Sequence, residues 1–182
     1  MPDRLTEVVV RADDSYAGIL QEQLGEPFVM TPVRVAGGHQ TDQRIGSDCA
    51  AFAAYGRRRM GETIHFQGPR GLLTHLAPVV AGQMRRGDIF HYGVQVQVVF
   101  EDRARQGFPD AEDLVIQSWH PYPRVVRLDS SGWRPHPFRV MRFVSDTGDR
   151  TPLDRNLVDP ATLPILPRRD GPNLNGRVLD RS

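Results

Sequence analysis

The residue with the clearest capacity for chemistry is the chain's single cysteine, Cys49. It follows Gly46-Ser47-Asp48 and leads into Ala50-Ala51-Phe52-Ala53-Ala54-Tyr55, a run that opens a helix, with Ser47 suited to cap it and Asp48 in its first turn. A thiol at a helix N-terminus meets unpaired backbone N–H groups and the positive end of the helix dipole. Both favour the thiolate and make it a nucleophile near neutral pH. The same N–H groups can hold the oxyanion of an acyl-transfer intermediate. The plainer alternative is a structural thiol, because a free cysteine often serves as a small core hydrophobe. A general base would separate the two readings. Of the six histidines, His39, His91 and His120 lie in segments that can approach Cys49, whereas His65, His75 and His136 are isolated.

The elements that must position these groups follow from periodicity. Residues 6–12 read as a short strand and 15–24 as a helix closed by Gly25. Residues 27–35 are extended and enter a polar loop at 37–44. The Cys49 helix runs to Gly61, with Arg57, Arg58 and Arg59 as a solvated, dipole-complementing end. A weaker helix spans 70–77. The period then changes to that of strands: 88–91 and 94–101 around a Tyr92-Gly93 turn, then 114–119, 125–128 and 138–144. Helices first and a mostly antiparallel sheet afterwards give an α+β class. Residues 1–145 form the expected single domain, and 146–182 a Pro-, Arg- and Asp-rich irregular tail.

The series Gly37-Gly38, Ser47-Asp48-Cys49-Ala50-Ala51-Phe52 and Arg86-Gly87-Asp88-Ile89-Phe90-His91 resembles the NlpC-like family of papain-like cysteine peptidases. Many of those are amidases that cut bacterial cell-wall peptides. The resemblance covers roughly the middle half of the chain. It implies a papain-like core with the cysteine helix packed on the sheet, Cys49 as nucleophile, a histidine base on the next strand and a polar orienting residue on the one after.

Here the sequence departs from the family pattern. Aligned on the alternation of 94–102, Gln95 stands where the family has its histidine, and an amide cannot accept a thiol's proton. Val94, Val96, Val98 and Phe100 are then expected in the core, with Gln95, Gln97 and Val99 facing the site. Gln117 takes the orienting position on the third strand, where a hydrogen bond suffices. His120 at the end of that strand is the preferred replacement base, ahead of His91 beside the turn and His39 in the Gly-Gly loop. Asp48 and Gln95 are further candidates for orienting or binding a substrate.

Composition excludes several classes. One cysteine permits neither an internal disulfide nor a cysteine-rich zinc site, and the absence of lysine excludes Schiff-base chemistry. With 23 basic against 22 acidic residues, a net charge of +1 gives no footprint for nucleic acid or an acidic membrane. No phosphate loop or metal-ligand spacing occurs, so no cofactor and no metal are expected. Asp110, Glu112 and Asp113 read as a solvated turn. Trp119, Tyr122, Trp133 and Phe138 suit either a groove lining or ordinary sheet packing. The start of the chain lacks the features of a signal peptide and no window reaches membrane-spanning length, so the default expectation is cytoplasmic, with export that needs no cleaved signal as the alternative. Two functions follow: a thiol hydrolase or acyltransferase acting on a peptide or amide, or a catalytically degraded relative used for binding or assembly.

Overall fold

Strands between residues 76 and 143 assemble one six-stranded antiparallel sheet. The computed structural model describes residues 11–146. The expected strand at 6–12 and the tail at 146–182 lie almost wholly outside them. The sheet is built from β3 (Leu76–Pro78), β4 (Ile89–His91), β5 (Val96–Glu101), β6 (Leu114–Gln117), β7 (Arg124–Arg127) and β8 (Arg139–Phe143), in the order β3-β8-β4-β5-β6-β7. A small hairpin, β1 (Arg34–Val35) with β2 (Gly38–His39), stands apart from it. The α+β class read from the sequence is the class observed.

The pleat sorts side chains by face. Registers Met141↔Ile89, Ile89↔Val98 and Val98↔Ile116 lay a continuous apolar row across the sheet. The helices α1 (Tyr16–Ile19), α2 (Cys49–Arg59) and α3 (Pro69–Leu72) bury that row. The other face carries Phe90, Val99 and Val115 and is covered by Met84, Tyr92 and Leu128, with Trp133 and Phe138 packed alongside. Both faces are therefore buried.

α2 holds the helical layer close because its sheet-facing side is small. Ala50, Ala53 and Ala54 are fully buried beside Phe52. Gly56 lets α1 approach: a Cβ there would stand 2.6 Å from the Tyr16 ring. The helices expected at 15–24 and 70–77 are shorter. α1 passes into a 3-10 turn at Leu20–Gln23, and α3 into one at Leu73–His75 before the chain becomes β3. Short segments gain little from helix propagation, so tertiary packing decides where they end.

The end of α2 differs from the solvated arginine run. Arg57 is only 1% exposed. Its guanidinium lies 4.2 Å from the Tyr16 ring centroid and 4.3 Å from that of Phe143, and it pairs with Asp146 and Glu62. A planar cation can stack on rings and satisfy carboxylates at once. Periodicity does not separate such a residue from the half-buried Arg58 and the exposed Arg59 next to it.

Candidate functional site

The sequence before Cys49 is fixed by contacts with two distant segments. Ser47 pairs with Phe28 in an isolated parallel bridge, and Val29 N–H donates to its carbonyl at 3.1 Å. Ser118, directly after β6, donates to the same carbonyl at 2.7 Å. The helix cap is Asp48 rather than Ser47, whose hydroxyl is turned to Ser118 at 3.2 Å. The Asp48 carboxylate accepts from Ala51 N–H at 2.8 Å, and the N–H groups of Thr31 and Ala50 support it too. Burial nevertheless raises its pKa, the desolvation cost exceeding those hydrogen bonds.

Cys49 is the first residue of α2 and is 6% exposed. Its side chain belongs to the core formed with Phe52, Ala53, Val96 and Val98. The backbone N–H of Val96 is directed at the sulfur, close to where the β5–β6 pairing ends and Ser118 turns to Ser47. Burial pushes the thiol up to about 12, the Asp48 charge adds to this, and the N–H groups of Val96 and Ala50 oppose it only in part. The helix N-terminus was expected to favour the thiolate. In this setting desolvation outweighs the dipole, and the group is a thiol at neutral pH.

The two glutamines on facing strands lie on the other side of the sheet. Val96 and Val98 pack toward α2, with Phe100 against the same cluster, whereas Val99 and Val115 join the opposite core. Gln97 and Gln117 follow that second parity. Tyr92 donates to Gln97 Oε1 at 2.9 Å, Gln97 Nε2 donates to Gln117 Oε1 at 2.7 Å, and Gln117 Nε2 donates to Ser131 O at 3.4 Å. The expectation that Gln95, Gln97 and Val99 face the site is thus reversed for Gln97 and Val99. Alternation identifies two faces, but only the position of α2 tells which one the thiol meets. Val94, expected in the core, is 58% exposed and precedes the strand. Gln95, directly before β5, is 1% exposed, and its Nε2 has no partner among the described residues.

Each candidate histidine has its own surroundings. His91 is paired with Val96 and shares its α2-facing side. Its Nε2 meets Pro69 O at 2.8 Å and its Nδ1 accepts from Gly93 N–H at 3.1 Å, which assigns a neutral ring; burial lowers its pKa. His120 is exposed, 4.2 Å from the Phe28 ring centroid. His39 stacks on Phe66 at 3.7 Å, bonded to Pro32 O through Nε2 at 2.9 Å and accepting from Thr41 N–H. Val96 N–H and Ser118, close to the thiol and to its cap, were not singled out from the sequence. Ser118 could have been found, because alternation places it on the Ile116 face.

A second feature was likewise not anticipated. Asp48, Ala51 and Arg58 of α2 line a cleft of about 550 Å³, closed by the β1–β2 hairpin and by residues 65–68. At helical spacing these positions form one stripe, turned away from the Cys49–Phe52–Gly56 side. Arg58 forks onto Asp42 at 2.8 and 3.2 Å and lies 4.7 Å from the Phe66 centroid. Among the described residues, no three His, Cys, Asp or Glu side chains gather as a metal site would require. No helix there is long and apolar enough to cross a membrane.

Helices on one face of a six-stranded antiparallel sheet match a solved architecture. The crystal structure of a protein described as similar to lipoprotein, NLP/P60 family, from Staphylococcus aureus superposes with a TM-score of 0.51 at 14% identity. The fold is NLP/P60-like. The superposition covers 77% of this chain and 45% of that one, so the chain spans less than half of the neighbour's length. No protein-family model and no curated protein matches. At this identity the likeness is one of fold.

Proposed function

We propose that this chain uses an NLP/P60-like fold as a binding or assembly module rather than as a thiol hydrolase. The observation that carries this reading is the state of Cys49: nine-tenths buried, protonated at neutral pH and held against a backbone N–H beside a valine. A nucleophile needs access and a base, and neither the Val96 side chain nor the Gln97–Gln117 amide pair can accept a proton from sulfur. A peptide or amide ligand without turnover suits such a site. The near-neutral charge argues against nucleic acid and acidic membranes as partners.

Alkylation tests this. Iodoacetamide should label Cys49 more slowly than free cysteine at pH 7.4, and Cys49→Ala should remove the label. Labelling faster than free cysteine would overturn the reading.

One observation favours the hydrolase or acyltransferase alternative. His91 shares the α2-facing side of the sheet with Val96, whose N–H meets the thiol. Catalysis by that pair would require the imidazole to leave Pro69 and Gly93 and gain a hydrogen bond to sulfur. Hydrolysis of an amide lost together in Cys49→Ala and His91→Asn would then be measured.

A further inference from the structure

The cleft on the outer flank of α2 is distinct from the buried thiol, and its donors and acceptors are unevenly satisfied. Its two carboxylates are engaged: Asp42 holds the Arg58 fork, and Asp48 accepts the N–H groups of Ala51, Thr31 and Ala50. Its open groups include two donors. Arg34, on the exposed β1 strand, has no side-chain partner among the described residues. Gln67 Nε2 is buried in the cleft wall and has none either. A buried N–H left unpaired is an unusual expense in a folded protein and marks a place where an acceptor fits.

Charge narrows the acceptor. Arg34 and Arg58 offset Asp42 and Asp48 around the cleft, so no excess cation is present and a dianion is disfavoured more than a monoanion. A guanidinium and an amide N–H together suit the two oxygens of a carboxylate. The volume, about 550 Å³, is that of a site for a short peptide segment or small ligand, not for a lone ion.

We propose that this cleft takes the C-terminal carboxylate of a peptide, with Arg34 and Gln67 receiving its oxygens. This deepens the binding-module reading by assigning a ligand class and a place, and it makes no use of Cys49.

Calorimetric titration with acetyl-trialanine as the free acid, as its C-terminal amide, and with inorganic phosphate tests the assignment on the full chain. The free acid should bind, with the amide at least about tenfold weaker, the usual value of one charge-assisted contact. Arg34→Gln should lose a similar factor and Gln67→Leu a smaller one, with circular dichroism unchanged from the parent. Equal binding of acid and amide, tighter binding of phosphate, no binding of the acid at millimolar concentration, or an unaffected Arg34→Gln protein would each overturn the proposal. Rapid alkylation of Cys49 with this pattern retained would remove the earlier reading and leave the cleft assignment standing.

Discussion

The two flanks of α2 differ in what closes them. The sheet-facing flank, Cys49 through Phe52 to Gly56, is packed against Val96, Val98 and the Tyr16 ring. The outer flank, Asp48 through Ala51 to Arg58, is bounded by a hairpin and a loop and holds a cleft with donors to spare. A cysteine placed on the first flank is insulated from solvent and remains a thiol. Polar groups on the second keep access and an unmet demand for partners. The flank a residue occupies in this helix, and not only its distance from the N-terminus, sets how far it is desolvated.

The comparison breaks most visibly if the packed flank is hollowed. Phe52→Ala should cost about 3–5 kcal/mol of stability, read as a shift of the urea midpoint with unchanged slope. A loss below about 1 kcal/mol would mean that the two flanks are equally loose.

The polar contacts beneath α3 provide a second test, through pH. The folded-state pKa of His91 is lowered by burial, so below about 6.5 the unfolded chain binds the proton more readily than the native one. Stability should therefore fall as pH drops from about 6.5 toward the native pKa, with His91 contributing a slope of at most about 1.4 kcal/mol per pH unit. Melting temperatures from pH 7.5 to 4.5 should show a shallower decline in His91→Gln; an unchanged decline would place the proton elsewhere.

The smallest expected effect lies where the flanks meet. Asp48→Ala removes the cap accepted from Ala51 N–H and should cost about 1 kcal/mol, while Asp48→Ser should recover most of it. Equal stability of the two variants would assign the cap no part in holding the α2 N-terminus.

Much of the framework was legible in the chain. The switch from helical to alternating period located all five strands from Ile89 onward within a few residues and gave the α+β class, because burial on a pleated sheet imposes period two. The Cys49 helix was legible from its alanine run, its polar entry and its closing glycine. The strand Leu76–Pro78 and the β1–β2 hairpin were not. The first reads locally as the end of a helix and becomes a strand by pairing with Phe143, 67 residues later in sequence. The second has two residues per strand, too few to show a period. Arg57 was misread for the same kind of reason, since its ring partners lie on α1 and β8.

By itself, then, the sequence determined that a lone thiol opens a helix laid on an antiparallel sheet, and that the segment 94–101 beside it carries no histidine. These are properties of local pattern and residue chemistry. Only the tertiary structure decided that the thiol is buried and faces Val96, that Gln97 and Gln117 bond to each other across the sheet, and that a donor-rich cleft lies on the far side of the helix. Thiolate stability depends on the balance of desolvation against N–H groups and dipole, and desolvation is set by neighbours distant along the chain. The choice of face depends on which side of the sheet the helices cover, and an alternating strand buried on both sides is compatible with either.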